Sequence, residues 1–207
     1  MRLENKIAVI TGAGSGFGKG IAIRFAAEGA KVVIADINLE SAEKVVAEIG
    51  EAAIAIEGDV SQDGDVLSMF ERTLKHFGRV DILVNNAGTT HRNKPMTEVT
   101  EEEFDQIFAV NVKSVFLTAK HGVPLMKKQG HGVILNVAST AGLRPRPGLA
   151  WYNTSKGAMI TATKAMAIEL ATFKIRVNAI NPVAGETGML HLKPKKTLEN
   201  TDRKSVV

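Results

Sequence analysis

The 207-residue sequence is 44% hydrophobic and 23% charged, enough to bury one domain at roughly 100–200 residues per domain. It has no cysteine, which excludes a disulfide framework and any thiolate metal site or thiol nucleophile and fits a reducing compartment. The net charge of +4 is uneven: residues 191–207 hold Lys193, Lys195, Lys196, Arg203 and Lys204 against Glu199 and Asp202, leaving a nearly neutral body with one Trp and one Tyr. That is no basic, aromatic-lined face for nucleic acid. No apolar stretch approaches the ~20 residues that span a bilayer, and the start is polar rather than signal-like. The expectation is a cytoplasmic protein that acts on a small molecule, without a nucleic-acid or membrane partner.

Short β-branched runs at residues 6–11 (KIAVIT), 31–36 (KVVIAD), 53–58 (AIAIEG), 80–85 (VDILVN), 133–138 (VILNVA) and 175–180 (IRVNAI) read as strands. They are apolar on both faces, as strands of a covered parallel sheet are. Helical spacing marks residues 18–28, 39–49, 63–77, 101–127 and 151–172. Six strands alternating with five helices predict a doubly wound α/β sheet with right-handed crossovers. Periodicity ends near residue 190, so residues 1–190 read as one domain and 191–207 as a solvated, disordered or atypical tail.

The first strand runs into Thr11-Gly12-Ala13-Gly14-Ser15-Gly16-Phe17-Gly18 and then a helix. Small residues there let the backbone approach a pyrophosphate at a helix N-terminus, although a merely structural turn is the alternative. Asp36 ends the second strand, 18 residues past Gly18. A carboxylate there accepts from a ribose diol and repels a 2′-phosphate; a turn or N-cap role is the alternative. Asn85-Asn86-Ala87-Gly88 follows the fourth strand, where Asn can brace a bend and Ala-Gly leaves room for a flat ring. Ser139 ends the fifth strand, and Tyr152 and Lys156 stand four apart 13 residues later, one turn apart on one helix face. An ammonium beside a phenol should lower the phenol pKa and let it exchange a proton near neutrality. The five His residues lack metal-ligand spacing, so no metal is expected.

The glycine turn, Asn85-Asn86-Ala87-Gly88, Asn111, Ser139, Tyr152 and Lys156 together resemble the motif set of the short-chain dehydrogenase/reductase family, most similar to 3-oxoacyl-carrier-protein reductases and related sugar or alcohol dehydrogenases. The resemblance implies a Rossmann-type fold and hydride transfer between NAD(P) and a secondary alcohol or ketone. It makes Asn111, Ser139, Tyr152 and Lys156 the catalytic set. Tyr152 would be the acid/base, Ser139 would polarise the carbonyl, and Lys156 would lower the Tyr pKa and hold the nicotinamide ribose. Asn111 would hold a relay water. By the same resemblance the cofactor would touch Gly12, Ser15, Gly16, Phe17, Gly18, Asp36, Ile37, Asp59, Val60, Asn85, Ala87, Gly88, Tyr152, Lys156, Val183 and Thr187. Members that use NADP carry a basic residue where this chain has Ser15 or Ile37, and Asp36 repels a 2′-phosphate, so NAD is expected over NADP; Lys19 reads as solvated. A homo-oligomer, dimer or tetramer, would pack through the helices near residues 101–127 and 151–172.

The sequence departs from the family at Val183, where the family's turn has Gly, and after Thr187, where a lid helix pair and a seventh strand are expected and residues 191–207 are polar and basic instead. The sixth strand is then expected to be an open edge, and the pocket more open to water. An NAD-binding member with impaired turnover, or a non-catalytic sensor, therefore stands beside the oxidoreductase; a sensor is expected to lack Tyr or Lys, and both are here. Arg144 and Arg146, between Ser139 and Tyr152, could meet an anionic substrate or carrier, but a solvated loop is the expectation.

Overall fold

The apolar alternation of each strand decides which helix covers which face. In the computed structural model, which describes residues 1–183, six parallel strands lie in the order β3-β2-β1-β4-β5-β6. They are β1 (Ile7–Thr11), β2 (Lys31–Asp36), β3 (Ala53–Glu57), β4 (Ile82–Asn85), β5 (Gly132–Val137) and β6 (Ile175–Ile180). This is the Rossmann order. The crossovers that step outward from β1 to β3 carry α1 (Gly16–Ala27) and α2 (Leu39–Ile49). Their Ala22, Ala42 and Val45 pack on Ala8, Ile10, Val32, Ile34 and Val84. The crossovers toward β6 carry α3 (Asp63–Phe77), α4 (Glu101–Phe108), α5 (Ser114–Gln129) and α6 (Ala150–Leu170). Phe70, Leu117, Met126 and Leu170 from these fill the opposite face against Val9, Val33, Leu83, Ile134 and Val177. Right-handed crossovers require this division.

Local chemistry sets the ends. Asn38 caps α2 by accepting from Ser41 N–H at 2.9 Å. Thr100 and Glu103 form a reciprocal capping box on α4, so that two otherwise orphaned donors are satisfied. Gly78 ends α3 at φ 78°, a left-handed position that glycine takes without steric cost.

Two expectations need correction. The uninterrupted helix over residues 101–127 is broken: a π-turn, Ala109–Lys113, separates α4 from α5 and carries the fully buried Asn111. Such a turn admits one extra residue, and here the Asn111 side chain is drawn inward to the backbone of Thr89. The fourth strand begins at Ile82 rather than at residue 80, because the Gln129 carboxamide takes both the N–H (3.1 Å) and the C=O (2.7 Å) of Val80.

At the amino-terminal edge of the sheet, away from the site, Asp81 is 2% exposed. Its carboxylate accepts from Ile7 N–H at 2.9 Å and from the Arg79 guanidinium, and stands 3.0 Å from His131 Nε2. Burial pushes its pKa up, but these three partners hold it below the ordinary value. Asp81→Ala, which strands the Ile7 N–H and the Arg79 charge, is expected to lower unfolding free energy by about 2–4 kcal/mol in urea titrations. Asp81→Asn, which keeps an acceptor for Ile7, should cost less; equal losses would contradict this account.

Candidate functional site

Between β1 and β4 the crossovers leave in opposite directions, which opens a crevice at the carboxyl edge of the sheet. Asn86 spans it: its Nδ2 donates to the carbonyls of Thr11 and Gly12, both at 2.9 Å. The Thr11 hydroxyl in turn accepts from the N–H groups of Asn86 and Ala87, each at 3.1 Å. The glycine turn is pressed against this loop so closely that a Cβ on Gly18 would stand 2.3 Å from the Gly12 carbonyl and 2.5 Å from Asn86 Nδ2. Gly12 itself has φ +60° and no room beside Ala87.

Ser15 is the N-cap of α1, and its hydroxyl makes no capping bond. The first-turn N–H groups at Gly16, Phe17 and Gly18 have no partner within the helix, so the positive end of α1 opens onto the crevice. Phe17 and Ile37 are exposed at 38% and 67%. The Asp36 carboxylate accepts from Gly14 N–H (2.8 Å) and Asn38 N–H (3.0 Å), which fixes it beside the turn. Lys19 pairs with Glu48 at 2.7 Å. Past Asp36, a shallow crevice is lined by Ala35, Gly58, Asp59, Val60 and Met69, among others. Asp59 is anchored there by Ser61 N–H at 2.8 Å.

At the other end stand Ser139, Tyr152, Lys156 and Asn111. Ser139 is 7% exposed; its Oγ accepts from Ala141 N–H at 3.1 Å and donates to the Pro182 carbonyl at 3.5 Å. Tyr152 and Lys156 share one face of α6, with Lys156 Nζ 6.0 Å from the Tyr152 ring centroid. Lys156 Nζ donates to the Val137 carbonyl at 2.9 Å. Gly88 closes this corner, since a Cβ there would meet Lys156 Nζ and Asn111 Oδ1 at 3.3 Å each. Asn111 Oδ1 accepts from Thr89 N–H at 2.8 Å, and its Nδ2 donates to the Thr89 carbonyl (2.9 Å) and Ser155 Oγ (3.0 Å). The whole side chain is therefore spent on structure.

Asn85 does not face this cleft. It belongs to a buried relay in which Thr118 Oγ1 donates to Asn85 Oδ1, Asn85 Nδ2 to Asn136 Oδ1, and Asn136 Nδ2 to Thr163 Oγ1, each at 2.8 Å. Thr187 lies outside the described residues, and Val183 is the last residue within them. One residue escaped the sequence reading, and a second sits in a setting other than the one expected. Ser155 links Asn111 to the Tyr152 carbonyl (2.8 Å); its spacing of three from Tyr152 was the available signal. Arg146, expected in a solvated loop, is half-buried and donates to the Val183 carbonyl at 3.2 Å.

The electrostatics differ from the sequence expectation. Burial pushes the Tyr152 phenol above its ordinary value; the Ser139 hydroxyl and the Arg146 guanidinium pull it down without offsetting burial. The Lys156 ammonium is turned to Val137 and is itself buried, at 3% exposure. Burial pushes the Lys156 pKa down to about 8.

The glycine-lined turn, the free helix end, Asp36 and the Asp59–Val60 crevice form one track that ends at Tyr152 and Lys156, which fits an extended dinucleotide. Among the described residues no three His, Asp or Glu side chains are grouped to hold a metal ion, and no helix is long and apolar enough to cross a membrane.

The family model for short chain dehydrogenases matches residues 6–197. The chain is 47% identical to 4-formylbenzenesulfonate dehydrogenase of Comamonas testosteroni over 193 residues, covering 92% of this chain and 77% of that protein. It is 40% identical to a 3-oxoacyl-[acyl-carrier-protein] reductase of Thermotoga maritima over 202 residues, covering 96% and 82% respectively. Among solved structures, a 3-ketoacyl-(acyl-carrier-protein) reductase from Brucella melitensis complexed with NADH superposes with a TM-score of 0.91 at 54% identity, over 92% of this chain and 80% of that one. An NAD+-bound xylitol dehydrogenase superposes at 0.86 with 35% identity, over 88% and 72%.

Lys156 generates a test. Its value in the fold, about 8, lies below the 10.5 of the free side chain, so between these pH values the unfolded chain holds the extra proton. The buried ammonium therefore costs stability below about pH 8, and the cost fades as the pH rises toward 10.5, a difference of up to about 3 kcal/mol. The stability of Lys156→Met relative to wild type should accordingly fall by an amount of that order when urea unfolding is repeated from pH 7 to pH 10.5. A constant difference would contradict the burial account.

Proposed function

Because the chain belongs to the short-chain dehydrogenase family, and is thus an NAD(P)-dependent oxidoreductase of CH–OH and C=O groups, we propose that Tyr152 is its acid/base and NAD its cofactor. The observation that carries the reading is the meeting of Ser139, Tyr152 and Lys156 at the carboxyl edge, at the end of the track that starts in the glycine turn.

The dinucleotide would lie along Gly12, Ser15, Gly16, Phe17 and Gly18, with Asp36 and Ile37 at the adenine ribose, Asp59 and Val60 at the adenine, and Ala87 and Gly88 under the nicotinamide half. Asn85 supports that loop from behind. Bound nicotinamide supplies or takes up the hydride. The Tyr152 hydroxyl gives its proton to the carbonyl oxygen in reduction and takes it back in oxidation, while Ser139 Oγ donates a hydrogen bond to the same oxygen. A phenol held above its ordinary pKa stays protonated, the form that reduction needs. Lys156 offers its remaining N–H donors to the ribose hydroxyls. With the Asn111 side chain spent on Thr89 and Ser155, its contribution to the relay runs through its backbone carbonyl, in the π-turn where the regular helix ladder is broken.

NAD over NADP rests on the fixed Asp36 carboxylate, on Ser15 and Ile37 where a cation would be needed, and on the Lys19–Glu48 pair that occupies the nearest lysine. The Brucella and xylitol dehydrogenase structures are described with NADH and NAD+, which supports a nicotinamide cofactor. The substrate class proposed is a secondary alcohol or ketone, such as a 3-oxoacyl thioester or a sugar. A homo-oligomer in the cytoplasm is proposed, its contacts formed by α5 and α6, where Phe116 and Ile168 are exposed at 62% and 80%.

Fluorescence titration with NADH and NADPH tests the cofactor. NADH should bind more tightly, and Asp36→Ala should shift the ratio toward NADPH by roughly five- to tenfold, one unfavourable charge contact being worth about 1–1.4 kcal/mol; tighter NADPH binding by the wild type would reject NAD. Tyr152→Phe should cut turnover of a reduced ketone by about 10²–10⁴ while NADH affinity stays within a few-fold. Unchanged turnover would remove Tyr152 from the mechanism.

A further inference from the structure

Arg146 stands between Pro145 and Pro147 in the loop that leads from the Thr140–Gly142 turn into α6. Its position is fixed from both sides. Asn153 Nδ2, one residue after Tyr152, donates to the Arg146 carbonyl at 2.8 Å. Its own Nη2 donates to the Val183 carbonyl at 3.2 Å, and the preceding carbonyl, Pro182, accepts from Ser139 Oγ at 3.5 Å. The guanidinium is thus held against the same short segment, Pro182–Val183, that the Ser139 hydroxyl meets. The positive charge also reaches the phenol, where it opposes the effect of burial.

The side chain is half-buried. Among the described residues no Asp or Glu lies within ion-pair distance of it. A guanidinium presents five donors in a planar fork suited to oxyanions, and the Val183 carbonyl takes only an edge of it. Arg144, exposed on the same loop, adds a second positive charge to this side of the cleft.

We propose that Arg146 selects substrates bearing an anionic oxyacid group, a carboxylate or sulfonate, set apart from the reacting carbonyl. The inference rests on the oxidoreductase reading for the carbonyl end and adds a recognition element at the other. Arg146 draws the anion to the mouth, and the rigid Pro145–Pro147 loop holds the substrate with its carbonyl toward Ser139 and Tyr152. The competing role is a latch that ties the loop to Val183 and treats charged and neutral substrates alike.

Three ketones separate the two roles: 4-acetylbenzoate, its methyl ester and 4-acetylbenzenesulfonate. For the full chain, kcat/KM is measured with NADH, and binding is measured by calorimetry in the presence of NAD, where ketone cannot turn over. Both anions should exceed the ester by roughly 10–100-fold in kcat/KM and in affinity, the range of a charge-assisted bidentate contact. The preference should shrink in 0.5 M NaCl. Arg146→Met should bring the anion-to-ester ratio close to one, whatever it does to the rates common to all three, and Arg146→Lys should keep an intermediate ratio. Equal handling of acid and ester by the wild type, or a ratio that survives Arg146→Met, overturns the proposal and leaves the oxidoreductase reading standing. Anion binding that depends on Arg146, without turnover of any ketone by either cofactor, keeps the proposal and defeats that reading. Neither binding nor turnover overturns both.

Discussion

The two hydrogen bonds from the Asn86 carboxamide to the carbonyls of Thr11 and Gly12 join the one pair of neighbouring strands, among the described residues, whose crossovers diverge. Everything on the carboxyl edge is referenced to that junction. Without it the glycine turn would have no fixed height above the sheet, and the free N–H groups of α1 would have no fixed direction. The junction also explains the severity of the glycine requirement: Gly12 and Gly18 are needed as much for contact with Asn86 and Ala87 as for contact with any ligand. A buried carboxamide that loses its acceptors costs more than the bonds themselves are worth, so the closure is strongly specified.

A second constraint sits beneath the first. The relay from Thr118 through Asn85 and Asn136 to Thr163 crosses β4 and β5 and ends on the Met159 carbonyl at 2.8 Å. All four side chains are buried and every donor points the same way along the chain of bonds. Polar groups in such a setting are costly unless each is satisfied, and here they are. The relay fixes α5, which follows Asn111, against α6, which carries Tyr152 and Lys156. The spacing between Asn111 and the Tyr152–Lys156 pair is thus set from within the core.

Burial then sets the chemistry. It raises the Tyr152 phenol and lowers Lys156, so each shift is toward the neutral form. A simple sequence argument, in which an ammonium acts on a nearby phenol, treats the pair as if in water. In the fold the ammonium is bonded to Val137, and the loss of hydration outweighs the pair interaction. Arg146, which shares no helical spacing with either, also acts on Tyr152.

The strand and helix alternation, the doubly wound class and the glycine turn were legible in the chain because they depend on local periodicity and on the handedness of crossovers. Tyr152 and Lys156 were legible for the same reason: a spacing of four on a helix is a property of the helix. What the tertiary structure decided was every feature that depends on a partner distant in sequence. Asn111 bends its helix into a π-turn because Thr89, 22 residues away, captures its side chain. Asn85 reads as a ligand residue beside Asn86, but alternation along β4 turns it to Asn136 and Thr118. Arg146 reads as a loop cation until Val183, 37 residues on, supplies the carbonyl that holds it in the cleft. Periodicity constrains which face a residue takes, whereas only packing decides what that face meets.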